Sequence, residues 1–366
     1  MITVPGDPGA YQGFRSISYV MPIRRWAATA DPDHVTEYLR WLSTRAEVIV
    51  VDGSTADLFN RHHELWGPYV THVPVAPGLC TRNGKVGGVL TGAYLATSDV
   101  LIIADDDVRY DAQTLRRAEQ ALDDVDLVRP QNYFDPLPWH ARWDTARTLL
   151  NRAFGGDYPG TFIVRRSAFL AIGGYNGDVL FENLELLRAM KAAGARIANR
   201  PDIFVQRIPP TIGDFRRQRV RHAYESLAQP LRFTAELGLL PTLSYLIFRH
   251  KWKALIKFMA TFIAAAEFGR RRHEGRNFFP PTSALFVPAW LAERALCAWV
   301  AAWHRLHGGV QYSGENFLIA AHRRDTSWNR TLASMAPERH PKTGAEDYGA
   351  NAIDLERAED YIGRRR

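Results

Sequence analysis

The sequence predicts an α/β fold, with a mostly parallel sheet flanked by helices and a helical C-terminal region after it. Three observations predict this. Short, nearly continuous apolar runs in the first half read as strands covered on both faces. Amphipathic helical patterns separate them, and strand–helix alternation makes successive strands parallel. After about Pro209 the texture becomes basic and apolar, at helical spacing.

The strand runs are Ile17–Ile23, Glu47–Asp52, Asp99–Ala104, Asp126–Arg129 and Thr161–Arg165. Asp31-Pro32 reads as an N-cap with proline in the first turn, leading into Val35, Tyr38, Leu39 and Leu42. Asn83–Ala96 and Ala112–Leu122 are the other crossover helices, and Arg216–Glu225 is a basic helix. Two apolar stretches follow, around Leu237–Phe268 and Ser283–Trp303. The expected organisation is an N-terminal extension (1–15), a catalytic α/β domain (16–230), a helical region (231–324) and a polar tail (325–366).

Of the 366 residues, 46% are hydrophobic and 23% charged, which is globular and excludes wholesale disorder. The only cysteines are Cys80 and Cys297, so a disulfide framework and a zinc-type ligand spacing are both excluded and a reducing compartment fits best. Met1–Gln12 contains no apolar run of signal-peptide length, so secretion by that route is not expected. The net charge of +7 is concentrated between Arg207 and Arg276, with 14 Lys/Arg against 5 Asp/Glu. Such a region suits an anionic membrane, a phosphorylated substrate or nucleic acid. No stacking platform or helix-turn-helix pattern accompanies it, so nucleic acid is not an expected partner.

Neither apolar stretch reads as a clean membrane span. Ala254–Ala266 is short and contains Lys257, while Ser283–Ala302 carries Glu293 and Arg294 near its middle. Each such charge costs about 2.5–3.5 kcal/mol on insertion, against about 0.5 kcal/mol gained per leucine. Trp- and Phe-rich faces beside Arg249, Lys251, Lys253 and Lys257 instead suit helices in the membrane interface, with packing on the catalytic domain as the alternative.

The chemistry-bearing residues sit at strand ends, where α/β sheets bind ligands. The run Leu101-Ile102-Ile103-Ala104 leads directly into Asp105-Asp106-Asp107. Three adjacent carboxylates repel unless a cation or solvent compensates them, and oxygen-only ligands favour Mg²⁺ or Mn²⁺ shared with substrate phosphates. Val50-Val51-Asp52-Gly53-Ser54 ends a second strand in a carboxylate able to accept from a base N–H or a ribose hydroxyl. Arg82-Asn83-Gly84-Lys85 precedes a helix, and Lys85 there suits an anionic phosphate. It is not a P-loop, since Gly78 is one position too far upstream and Val86 replaces the Ser/Thr. No GxGxxG follows a strand, which removes the dehydrogenase class as well.

In this order the features resemble family 2 glycosyltransferases of the GT-A fold, over about Ser16–Glu225. The resemblance rests on the Pro-containing segment Val20-Met21-Pro22-Ile23-Arg24, the "VVDDGS"-like run at Asp52, Gly84-Lys85, and a DXD signature at Asp105–Asp107. It continues through Gly155-Gly156-Asp157, Gly160-Thr161, Arg165-Arg166, Gly173-Gly174-Tyr175 and Phe181-Glu182-Asn183-Leu184-Glu185. The resemblance implies that Pro22, Arg24, Asp52, Lys85, Asp105 and Asp106 meet the nucleotide sugar, and that Asp105 and Asp107 hold Mg²⁺ or Mn²⁺ on the donor diphosphate. The family's usual catalytic Asp is Asn183 here, and a carboxamide cannot take the acceptor's proton. Glu182 is the expected base, with Glu185 second; the alternatives are an acceptor that is already a good nucleophile, or lost turnover.

Gln218-Arg219-Val220-Arg221-His222 is similar to the QxxRW motif of ceramide-glucosyltransferase-like, membrane-associated members, with His222 in place of Trp. By that likeness Gln218 and Arg221 belong to the donor site. His307-Gly308-Gly309-Val310-Gln311-Tyr312-Ser313-Gly314 looks like the stretch following the membrane-associated helices of lipid-modifying relatives.

The implied activity is inverting, metal-dependent sugar transfer from a nucleoside-diphosphate sugar, UDP being the default carrier, to a glycan or lipid-linked hydroxyl. The expected location is the cytoplasmic face of the cytoplasmic membrane, by peripheral contact. The rival reading is a catalytically silent nucleotide-sugar-binding partner protein, which Asn183 favours and the intact acid triplet opposes.

Overall fold

The computed structural model describes residues 17–26 and 32–322. The chain begins β1 (Ile17–Ile23), α1 (Pro32–Ser43), β2 (Glu47–Asp52), α2 (Ala56–Trp66), β3 (Thr71–Val73), α3 (Gly84–Leu95) and β4 (Val100–Ala104). It continues with β5 (Val108–Arg109), α4 (Ala112–Gln120), β6 (Leu127–Phe134), α5 (Trp139–Ala153), β7 (Thr161–Arg165) and α6 (Arg166–Ala171). Next come α7 (Glu182–Ala192), β8 (Ile197–Arg207) and the helices α8 (Ile212–Glu225), α9 (Pro230–Phe248), α10 (Trp252–Arg271) and α11 (Val287–Leu306). A hairpin of β9 (Val310–Tyr312) and β10 (Glu315–Phe317) closes the described part. The expected α/β architecture is therefore present, with mostly parallel strands, flanking helices and a helical C-terminal region. The expected Asp31 cap, N-terminal extension and polar tail lie outside the described residues.

Two compact units divide the chain. Of the described residues, one holds those up to Asp106 together with Arg165–Gly177, and the other holds Asp107–Val164 and those from Asp178 on. This differs from the expected 16–230 and 231–324 segments, because α9, α10 and α11 share a core with α5.

In the first unit β1 pairs in parallel with β2 and β4, and β2 pairs in parallel with β3. All seven residues of β1 are buried. Helix α3 rests on it through glycines at four-residue spacing. A Cβ on Gly88 would lie 2.7 Å from Pro22 Cβ, and one on Gly92 2.3 Å from Val20 Cγ1. The glycines set the helix–strand distance, and with it the position of Lys85 in the first turn.

In the second unit β6 pairs in parallel with β8 and antiparallel with β7, while β5 pairs antiparallel with β8. The expected strand Asp126–Arg129 runs on to Phe134, after a register shift between Arg129 and Gln131. β8 was not legible as a strand, because Asn199-Arg200-Pro201-Asp202 breaks its apolar pattern. The apolar stretch Leu237–Phe268 forms two helices, separated at His250, whose φ is +50°.

Leu149, Leu150, Leu239, Leu243, Trp290 and Leu291 form the core of the helical region. Helix α10 comes so close to α5 that a Cβ on Gly269 would lie 2.0 Å from the Leu149 carbonyl oxygen. Arg152, fully buried there, donates to the carbonyls of Pro201, Gly269 and Arg272 and to Gln131 Oε1. Burial pushes its pKa down to about 10.

The 26-residue segment Pro281–Leu306 is long and apolar enough to cross a membrane by length and composition. Of its two mid-helix charges Arg294 is nevertheless buried, and the Glu293 side chain is only 8% exposed. Glu293 accepts from Trp143 Nε1 at 2.8 Å and pairs with Arg219 at 3.3 Å. Arg219 also makes a bidentate bond to Asp144, at 2.6 and 3.0 Å.

Candidate active site

In the first unit the strand ends are tied together by short bonds. Gly53 N donates to Ile23 O at 2.9 Å, and Arg25 N to Ser54 Oγ at 2.8 Å. From this frame two basic side chains reach the acid run after β4. Lys85 Nζ lies 2.6 Å from Asp105 Oδ1, and Arg25 Nη2 lies 3.2 Å from Asp106 Oδ2. These side chains are partly exposed, Asp105 at 20% and Asp106 at 43%. Arg25 is the arginine that reaches the acids. Arg24, expected at the donor, stacks on Trp26 with its guanidinium carbon 4.2 Å from the ring centroid.

Two expected donor contacts need correction. Pro22 is buried in β1 and faces Gly88 of α3, so it spaces the helix from the strand and presents no surface to a ligand. The Asp52 side chain is fully buried beneath the loop, with both oxygens engaged. Oδ2 takes His62 Nδ1 at 2.6 Å and His72 Nε2 at 3.2 Å, and Oδ1 takes Ser54 N at 2.8 Å. Burial alone would raise its pKa, but the bonds from His62, His72 and Ser54 outweigh this and hold it far below the usual carboxylate range.

Burial also lowers the pKa of His72, which keeps that ring neutral. A neutral His72 that donates from Nε2 leaves Nδ1 to accept from His63 Nδ1, 3.2 Å away. Asp52, His62 and His72 offer three ligand atoms within 4.8 Å of one another, an N₂O set suited to a transition metal. Each of those atoms also has a consistent place in the hydrogen-bonded cluster.

The Arg165-Arg166 and Gly173-Gly174 motifs turn out to support α3. Arg166 donates to the carbonyls of Ala93 and Tyr94 at the C-terminal end of that helix, and Arg165 pairs with Asp99. Gly174, at φ +85°, passes so close to Leu90 that a Cβ would lie 2.2 Å from Leu90 Cδ2.

In the second unit Asp107 Oδ2 pairs with Arg207 Nε at 2.8 Å. All three acids of the run therefore have a basic partner. Glu182 is the first residue of α7, and Asn183 Nδ2 donates to Pro159 O at 3.2 Å. Glu185, the second candidate for a base, is buried, with both oxygens bound by His322: Oε2 by its backbone N at 2.8 Å and Oε1 by Nδ1 at 3.0 Å. A carboxylate held in this way anchors the segment at His322 and is not placed to take a proton from an acceptor.

On α8, Arg221 lies over the Tyr312 ring at 4.6 Å and pairs with Glu225 at 3.5 Å. Burial alone would lower its pKa, but Tyr312, Glu225 and Glu182 outweigh this and raise it. Arg221 and Glu182 thus belong to one electrostatic cluster. His222 is kept neutral by burial and by the surrounding arginines 147, 221, 219 and 294. Gln218 is half-buried on the same helix. Three residues escaped the sequence reasoning: Arg25, Arg207 and Tyr312. Only Arg25 carried a usable signal, as the neighbour of Arg24.

No protein-family model matches this chain, and no curated protein does either. Among solved structures it is similar to a mannosyltransferase from Pyrobaculum calidifontis in complex with GDP-Man and Mn²⁺, at 20% identity and TM-score 0.44, over 78% of this chain and 88% of that one. TarS 1–349 of S. aureus, solved alone and with UDP-GlcNAc, is similar at 14% identity and TM-score 0.39, over 82% and 95%. A mycobacterial protein is similar at 15% identity and TM-score 0.37, over 55% and 70%.

Proposed function

We propose that this chain is an inverting glycosyltransferase, moving a sugar from a nucleoside-diphosphate sugar to an acceptor hydroxyl. The observation that carries the reading is the set of paired charges after β4, Lys85 with Asp105 and Arg25 with Asp106. A divalent cation bound to a diphosphate offers both partners at once, positive charge for the carboxylates and anionic oxygens for Lys85 and Arg25. Such a ligand exchanges one set of ion pairs for another and leaves no charge uncompensated.

The donor set fits a hard ion, being carboxylate oxygens only and partly exposed. Asp105 and Asp107 are the residues that would hold Mg²⁺ or Mn²⁺, whose chemistry there is to neutralise charge developing on the leaving diphosphate. Lys85, in the first turn of α3, and Arg221 bind diphosphate oxygens, and Gln218, on the same helix as Arg221, joins the donor site. Glu182 removes the acceptor's proton, while Asn183, as a donor to Pro159 O, holds the start of α7 in place. A single displacement by that hydroxyl inverts the anomeric centre.

Exposed Phe248, Trp252 and Ile256, neighbours in sequence of Lys251, Lys253 and Lys257, together with exposed Trp299 and Trp303 on α11, support contact with an anionic membrane surface, at its cytoplasmic face, and a lipid-linked acceptor.

The test is a screen of UDP-, GDP- and dTDP-sugars with Mn²⁺. Asp105→Ala is expected to lose metal-dependent donor binding. Glu182→Gln is expected to bind donor while turnover falls by about 10²–10⁴-fold. Donor binding unchanged in both variants, with no nucleotide released by the wild type, would replace this reading with the silent binder that Asn183 favours.

A further inference from the structure

The helical region of the second unit contains a cavity of about 690 Å³ bounded by β6, α5, α9, α10, α11 and the loop at Gly155-Gly156. That size is within the range that holds small organic ligands. One part of its wall is apolar, made by Leu150, Leu239, Phe258, Phe262, Trp290 and Leu291. The other part carries two guanidinium groups. Arg232 is already balanced, by Glu236 at 2.9 Å. Among the described residues Arg129 bonds only neutral acceptors, Asn199 Oδ1 at 3.2 Å and Gly155 O at 3.3 Å, and it lies over the Tyr158 ring.

The loop is shaped around that guanidinium. Gly156, at φ +118°, would place a Cβ 2.9 Å from Arg129 Nη2 and 2.7 Å from Asn199 Nδ2, so a larger residue would displace both. A cation with no acidic partner among the described residues, set beside an apolar wall, has the chemistry of a site for an anionic head on a long hydrocarbon chain.

We infer that this cavity binds a long-chain amphiphile with a phosphate-type head, the chain lying among α9, α10 and α11 and the head meeting Arg129. Its position ties it to the candidate base. Tyr158, in the wall, packs on Phe181 with ring centroids 5.1 Å apart, immediately before Glu182. The next residue, Pro159, accepts the hydrogen bond from Asn183. Identifying the bound amphiphile as the acceptor rests on the transferase reading; the binding site itself does not. The exposed aromatic and basic side chains on α9, α10 and α11 are the kind of surface from which such a ligand would be drawn.

Gly238 supplies the decisive variant. It lines the cavity within α9, and a Cβ built there meets nothing within 4 Å. Gly238→Leu should therefore fill the space without straining the fold. The experiment titrates decyl phosphate, below its micellar concentration, into the full chain with no nucleotide sugar present. Decanol and inorganic phosphate are run alongside, and binding is read by Trp fluorescence and thermal shift.

Saturable decyl phosphate binding is expected in the wild type, with decanol about tenfold weaker. Arg129→Gln should weaken decyl phosphate about tenfold and leave decanol unchanged. Gly238→Leu should abolish binding while melting no lower than the wild type. Equal affinity in Gly238→Leu, decanol matching decyl phosphate in the wild type, or inorganic phosphate saturating as tightly as decyl phosphate would each overturn the inference. Because the titration contains no donor, its failure leaves the transferase reading standing, and failure of the Asp105→Ala test leaves the cavity result standing.

Discussion

Replacing Gly92 by alanine sets two opposed effects against each other. Alanine in a helix interior is favoured over glycine by about 1 kcal/mol, so propensity alone predicts stabilisation. The added Cβ would lie 2.3 Å from Val20 Cγ1 and 2.8 Å from Cγ2, where ordinary contacts begin at 3.4 Å. Val20 is fully buried in β1, which pairs with a strand on either side, so relief requires α3 to move by more than an ångström. Overpacking of this kind costs about 1–3 kcal/mol or somewhat more, and the shortfall places Gly92 at the upper end.

The net expectation for Gly92→Ala is a loss of about 1–2 kcal/mol in urea unfolding. Because the cost arises at Val20, the double variant Gly92→Ala/Val20→Ala should be no less stable than Val20→Ala alone. That outcome is a coupling of at least about 1 kcal/mol. A Gly92→Ala protein as stable as the wild type, or strictly additive double-variant losses, would refute the packing argument.

Stability should fall with acidification in the first unit. His72 has a folded pKa below its ordinary 6.5, so the unfolded chain takes up that proton first and stability declines as pH drops below about 6.5. Asp52, also depressed, adds its loss below its ordinary 3.8. Melting curves from pH 7.5 to about 2.5 check this, and His72→Asn should flatten the upper part of the profile. Arg219→Ala leaves the buried Asp144 without its cation and takes from Glu293 one of its two arginines, the other being Arg294 at 3.8 Å, and should cost about 3–5 kcal/mol in denaturant unfolding. Glu185→Gln should lower the melting temperature through its two bonds to His322 and leave donor binding intact. Gly238→Ala should raise stability by about 0.5–1 kcal/mol, because it gains helix propensity in open space.

The strands β1, β2 and β7 were legible to the residue, because each is a short apolar run ended by charge or a turn. The acid run after β4 was legible for the same reason. Its basic partners were less so, since Arg207 comes to Asp107 from a strand end a hundred residues away. Asp52 was misread because a strand-end carboxylate looks the same from the sequence whether it faces a ligand or two histidines. His62 and His72 lie ten and twenty residues downstream on a polar helix and a three-residue strand, with no pattern that points back to it. Glu185 was ambiguous in a similar way, because His322 is 137 positions distant.

The buried arginine of α5 bears on how this protein can be dissected. A fragment ending near residue 230 follows the sequence texture and would be the natural choice for a soluble catalytic piece. Such a fragment would take away the Gly269 and Arg272 carbonyls from Arg152, and Glu293 from Arg219. It would also strip the apolar cover from Leu149 and Leu150. Two guanidinium groups would lose bonding partners and a hydrophobic helix face would meet water, which is a recipe for aggregation. The C-terminal helices are therefore a structural wall of the second unit: expression trials, crystallisation fragments and chimaeras should keep the chain whole from Asp107 through His322.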